Sequence, residues 1–168
     1  MHACRRAKDY ERLIRVYSGA SVRYTNGQAL TLDQAQEKIR AALARAAEDP
    51  RAQWSWGIVA DEEMIGLISV RRRSPSMGTL SYILRDDAWG HGYATEAAKS
   101  VVDFAFTTAT LSRLEAMHHP DNPASGRILT KCGFSLVGTH DQQDHDGTVS
   151  PYPACALPHP TMPAGAAG

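Results

Sequence analysis

The chain has 168 residues, 43% hydrophobic and 21% charged, the proportions of one soluble globular domain. Eighteen Lys plus Arg balance eighteen Asp plus Glu, which argues against a nucleic-acid binder working by bulk electrostatics. Cys4, Cys132 and Cys155 cannot all pair and form neither a C-x-x-C nor a zinc quartet, so a reducing, cytoplasmic compartment and no metal are expected. The basic start is followed by no apolar h-region, and no stretch approaches 18 apolar residues, so neither an export signal nor a membrane partner is expected.

Tyr10, Leu13, Ile14 and Tyr17 fall at helical spacing, predicting a first helix over residues 9–17 that ends before Gly19. Thr31-Leu32-Asp33-Gln34 reads as a capping box, followed by the stripe Ala35, Ile39, Ala42, Leu43 and Ala46. A second helix over 32–48 follows, stopped by Asp49-Pro50. From Trp54 the period changes to two, and 54–60 with 64–72 reads as a hairpin turning at Asp61-Glu62-Glu63. Arg71-Arg72-Arg73 is expected as a solvated turn. A third strand over 79–85 puts Leu80, Tyr82 and Leu84 on one face.

Ala94, Ala97, Ala98, Val101, Val102, Ala105 and Phe106 then define a helix whose small residues allow close packing on a sheet. The strand at 113–119 follows a helical crossover, so it is expected to run parallel to 79–85. Asn122-Pro123 opens a fourth helix, with Asn at the N-cap and Pro at the first position, and Gly133 closes it. A strand at 134–139, an acidic solvated loop at 141–147 and a last strand at 149–157 complete the domain. Pro151 and Pro153 each lack a ladder donor, which restricts that last strand to an edge. One domain is therefore expected over 1–157, with a Pro/Gly-rich flexible tail over 158–168.

The chemistry-bearing segment is Trp89-Gly90-His91-Gly92-Tyr93-Ala94-Thr95-Glu96, between a strand and a helix. Glycines there let backbone amides converge on a phosphate at the positive end of the helix. A dinucleotide fingerprint requires a third glycine where Thr95 stands, and no Lys-Ser/Thr follows as in a nucleotide P-loop. Thirty residues on comes Asn122-Pro123-Ala124-Ser125-Gly126-Arg127-Ile128-Leu129-Thr130-Lys131-Cys132-Gly133-Phe134.

Together these segments resemble the two cofactor motifs of the GCN5-related N-acetyltransferases, in the branch of the ribosomal-protein N-terminal alanine and serine acetyltransferases. The resemblance implies an α/β fold: a mixed, mostly antiparallel twisted sheet, about four helices, and splayed parallel strands forming an acyl-CoA cleft. It also implies acetyl transfer from acetyl-CoA, a co-substrate, to a primary amine by direct attack, with no metal. By resemblance the backbone of Tyr82, Ile83 and Leu84 faces the pantetheine arm. Trp89, Gly90, His91, Gly92, Tyr93, Ala94 and Thr95 hold the pyrophosphate, and Asn122 and Ser125 face the thioester end. Ser125 is the expected donor to the leaving thiolate, because Leu129 stands where many members carry a donor tyrosine. The strand at 79–85 offers no acidic residue or histidine as a base, which leaves His118 as the candidate. The acidic loop is expected near the acceptor.

The usual first strand is expected to be missing, leaving the 54–60 strand with an open edge that a homodimer would cover. Ala-rich, Arg-over-Lys composition points to a bacterial source. The alternative to an active enzyme is a catalytically weak acyl-CoA-binding module, motivated by Leu129 and the absent strand.

Overall fold

The computed structural model describes residues 7–161; the expected absent first strand and most of the expected tail concern residues outside that range. Helix α1 (Ala7–Val16) leads through a 3-10 turn at Gly19–Tyr24 to α2 (Leu32–Ala46). Thr31 caps α2 as the sequence predicts: its hydroxyl accepts from the Gln34 amide at 3.2 Å, and the Gln34 side chain accepts from the Thr31 amide at 2.9 Å.

Strands β1 (Gln53–Ala60), β2 (Glu63–Arg72) and β3 (Met77–Leu84) form the antiparallel meander. Its first turn is the two-residue Asp61-Glu62, both in the left-handed region (φ 49° and 63°), the hairpin geometry that matches strand twist. Helix α3 (Tyr93–Thr107) crosses to β4 (Arg113–Met117), which is parallel to β3. Helix α4 (Pro123–Lys131) precedes the hairpin of β5 (Ser135–Gln143) and β6 (Val149–Pro158). The six strands lie in the order β1-β2-β3-β4-β6-β5.

One face of this sheet makes the core. Ile68 and Val70 of β2 and Leu80 and Leu84 of β3 are buried with Ala94, Ala98, Val101 and Ala105 of α3. Trp54 and Trp56 meet Phe104 of α3 edge-on, with centroids 5.9 and 4.9 Å apart. Ala98 and Ala105 are wholly buried, so a larger side chain at either would overpack the contact at about 1–3 kcal/mol. Helices α1 and α2 overhang the opposite face near β1 and β2, leaving the rest of that face open.

Three expectations are corrected. The last strand is not an edge: β6 lies between β4 and β5. The carbonyl of Pro153 accepts from the His118 amide at 3.3 Å, on the side away from β5. Alternation puts the donorless nitrogens of Pro151 and Pro153 on that same side, where β4 pairs only with residues 154–158. The prolines therefore break no bond with β5.

Second, Arg71 and Arg72 end β2, as the strand expected over 64–72 has them, and the solvated-turn reading of 71–73 fails for Arg72. Arg72 is inward, donating to the carbonyls of Ala109 (3.0 Å) and Pro75 (2.6 Å) and lying over the Trp54 ring. Third, the acidic loop is shorter than expected, since β5 extends through Gln143, and Asp144 at its start is turned inward. The expected tail begins in order, with Pro158 paired to Arg113, the His159 amide donating to the Ser112 carbonyl at 2.9 Å and the His159 ring edge-on to Phe106.

Candidate active site

Strands β3 and β4 pair only over Met77–Thr79 and Arg113–Glu115, then diverge. The gap opens into a cleft of about 730 Å³ bounded by the end of β3, the 88–95 segment, residues 117–119 and the start of α4. The Arg85 amide donates to the Ile65 carbonyl at 2.8 Å, so alternation turns the backbone groups of Ile83 toward β2 as well. Gly66 makes room there, since a Cβ at that position would stand 2.6 Å from the Ile83 carbonyl oxygen. The backbone groups facing the cleft are therefore those of Tyr82 and Leu84, and the Leu84 carbonyl already accepts from the Trp89 indole at 3.2 Å.

The loop from β3 to α3 is held from both sides. Arg85 bonds Glu63 (2.9 Å) and Asp87, and Asp86 accepts from the Ala20 amide at 2.7 Å. The His91 ring stacks on Tyr93 with centroids 5.6 Å apart. Gly90 and Gly92 both adopt φ +79°, and a Cβ on either would meet nothing within 4 Å. Gly92 caps α3 without any side-chain bond, leaving the amides of Tyr93, Ala94 and Thr95 as the uncapped donors of a helix start. Open space in front of such amides fits the pyrophosphate of acetyl-CoA.

At the other wall, Asn122 caps α4 as expected: its Oδ1 accepts from the Ser125 amide at 3.3 Å. The Ser125 hydroxyl lies 2.8 Å from the Tyr82 hydroxyl, which also reaches the Ser125 carbonyl at 3.1 Å. Burial pushes the Tyr82 phenol up to about 12, so it remains a proton donor. His118 follows the end of β4; its Nδ1 lies 2.8 Å from the His119 carbonyl, which requires a proton on Nδ1, so that the lone pair of the neutral ring is on Nε2. The ring fits because residue 126 is glycine: a Cβ there would stand 2.9 Å from His118 Nε2. Leu129 is 1% exposed, pointing into the core. Tyr82, Ile83, Leu84, Trp89, Gly90, Gly92, Tyr93, Ala94, Thr95, His118, Asn122 and Ser125 all line the one cleft, while His91 packs outside it against Tyr93.

A second cluster is not apparent from sequence spacing. His119 Nδ1 accepts from the Asp121 amide at 3.0 Å and its Nε2 faces Asp144 at 3.4 Å. Asp144 also receives the Tyr152 hydroxyl and that of Ser150 (2.9 Å), and these bonds hold its carboxyl below the usual range. Burial, together with that carboxylate, pushes the Tyr152 phenol up to about 12. Tyr24 and Tyr152 pack on the His119 ring at 5.4 and 5.2 Å. The hairpin register, with Gln142 opposite Ser150 and His140 opposite Tyr152, is the signal that would have brought Asp144, Ser150 and Tyr152 together.

A mixed sheet with two parallel strands splayed beside a glycine-capped helix start defines an acyl-CoA-type transferase class. The family model described as Acetyltransferase (GNAT) domain matches residues 3–135. The chain therefore belongs to the GNAT acetyltransferases and is an acetyl-CoA-dependent N-acetyltransferase. It is 27% identical over 135 residues to the uncharacterized N-acetyltransferase p20 of Bacillus licheniformis, covering 78% of this chain and 76% of that protein. Mycobacterium smegmatis RimJ, solved with CoA-disulfide, superposes with a TM-score of 0.78 at 19% identity, over 95% of this chain and 82% of that one. The Microcin C7 self immunity acetyltransferase MccE, solved with acetyl-CoA and AMP, gives 0.78 at 14% identity over 90% and 88%. Among the described residues, no helix is long and apolar enough to cross a membrane.

Proposed function

We propose that the chain transfers the acetyl group of acetyl-CoA to a primary amine, with a protein or peptide amino terminus the favoured acceptor, inside one domain spanning 1–157. The observation that carries this reading is the convergence, in one cleft, of the uncapped α3 amides, the splayed β3 backbone, Ser125 and the His118 lone pair. Acetyl-CoA supplies the acetyl group as a thioester. The amides of residues 90–95 would hold its diphosphate, and the Tyr82 and Leu84 amides would face its pantetheine arm.

Tyr82 carries a single hydroxyl proton. Donated to Ser125 Oγ, it frees the serine proton to point into the cleft and protonate the leaving sulfur. In the neutral ring the lone pair of His118 is on Nε2, which takes the proton that the amine sheds. An α-amino group is about 10% neutral at pH 7 and a lysine amine well under 0.1%, so a single half-buried histidine suits the former.

The test is thermal unfolding with and without acetyl-CoA, followed by CoA release with an amine panel. At about 100 times its Kd, acetyl-CoA adds roughly 2.7 kcal/mol, or about 5–10 °C for a domain of this size. No shift in a folded sample overturns the reading. A shift without CoA release for any amine favours the acyl-CoA-binding module, for which the buried Leu129 is the supporting observation.

A further inference from the structure

The open face of the sheet carries a groove of about 920 Å³ that meets the acetyl-transfer cleft at Met117, which lines both and is 46% exposed. Two features of its floor come from strand register alone. Ser55, Ser69 and Ser81 are directly opposite one another on β1, β2 and β3, a row of hydroxyls crossing three strands in the groove that Met117 also lines. Next to it runs a second row, Gln53, Arg71, Thr79 and Glu115.

The charge in this groove is one-sided. Lys38 and Arg45 reach into it from α2, Arg51 from the segment before β1, and Arg71 and Arg73 from β2 and just beyond its end. Among the described residues none of these five has an ion-pair partner; the hydrogen bonds of Arg45, Arg51 and Arg73 go to Gln53, the Ala46 carbonyl and Thr79. The one carboxylate in the lining, Glu115, is held by Arg113 at 2.9 Å. The cations also crowd each other: burial and Arg45 push the Lys38 ammonium down, and burial, Arg71 and Arg45 do the same to Arg73. A chain with no net charge has thus gathered five cations in one hollow against a single carboxylate among the described residues, an arrangement relieved by an anion.

Resting on the acetyl-transfer reading above, we infer that this groove selects the acceptor: a peptide amino terminus whose third and fourth side chains are anionic. From strand spacing and rise, the Cα of Arg71 lies about 12 Å from that of Met117, two strands across and two residues along, which is roughly the reach of three to four extended residues. With the amine at Met117, the peptide backbone lies over the serine row, and its carboxylates meet Arg71, Arg73 and Arg45.

The experiment compares three matched pentapeptides with free amino termini, differing only in whether the third and fourth side chains are carboxylates, amides or ammonium groups. CoA release is measured with each, and peptide binding by calorimetry on the acetyl-CoA-loaded protein. The carboxylate peptide is expected to have a KM roughly tenfold below the amide peptide at similar kcat, an advantage that shrinks with salt. The double variant Arg71→Gln/Arg73→Gln abolishes that advantage, and Arg71→Glu shifts preference toward the ammonium peptide. Equal KM and equal binding for all three peptides, or a preference indifferent to both variants, overturns the inference. If no peptide turns over, binding selective for the carboxylate peptide and lost in the double variant still upholds it. Failure of the acetyl-transfer reading itself shows separately, as the absence of any acetyl-CoA thermal shift.

Discussion

Ser125 is held at its amide, which donates to Asn122 Oδ1, and by the Tyr82 phenol, which lies within hydrogen-bond distance of both its hydroxyl and its carbonyl. When the single phenol proton goes to Ser125 Oγ, the serine proton is left free to point into the cleft. Ser125→Ala is therefore expected to lower kcat by about a hundredfold, in the range of lost general-acid catalysis, with acetyl-CoA affinity nearly unchanged. Tyr82→Phe leaves the serine in place but unaligned, so a smaller loss of kcat at unchanged KM is expected; steady-state CoA release measures both. His118→Gln keeps the bond to the His119 carbonyl through its amide and removes the lone pair. With His118 as base, kcat/KM of the parent protein is expected to rise with pH and the rise to flatten in that variant; identical profiles would remove His118 from the mechanism. These side chains were legible from one motif and one strand end. That Tyr82 contributes its hydroxyl as well as its backbone was not, because β3 and α4 are 43 residues apart in the pair Tyr82–Ser125.

At the scale of elements, the start of α3 is the most exacting piece. Gly92 sits at φ +79° with open space before it, so Gly92→Val costs about 1–2 kcal/mol for the left-handed backbone and fills the space in front of the helix amides. The acetyl-CoA thermal shift should vanish in that variant while the protein still melts cooperatively. Thr31→Ala is the control: loss of the α2 cap costs about 1 kcal/mol and leaves the acetyl-CoA shift intact. The helix starts at Thr31 and Asn122 were readable because a cap is written within four consecutive residues. The interior place of β6 was not, because proline reports a missing donor but not the side on which it is missing. The His119–Asp144–Tyr152 cluster and the Ser55–Ser69–Ser81 row escaped for the same reason: each exists only once strand order and register are fixed.

Across the whole molecule, three tyrosines join parts that the chain brings together late. Tyr17 lines the groove under α2, Tyr82 ties β3 to α4, and Tyr152 ties the last hairpin through Asp144 to the segment after β4. All three phenols are pushed up to about 12, by burial first in each case, against about 10 in the unfolded chain. A group whose folded value is raised contributes stability that is complete below its unfolded value and lost as pH rises through its folded one. Between pH 10 and 12 the unfolded chain sheds these protons while the folded one retains them, so the fold weakens over that window. Two units correspond to roughly 2–3 kcal/mol at most for each of the half-buried Tyr17 and Tyr82; Tyr152 adds less. Thermal melts should thus be flat in this respect up to about pH 10 and fall steeply above it, with Tyr17→Phe and Tyr82→Phe each removing part of the slope. A melting temperature that falls equally in both variants and the parent protein would mean that the alkaline loss comes from elsewhere and that these phenols are wetter than their packing implies.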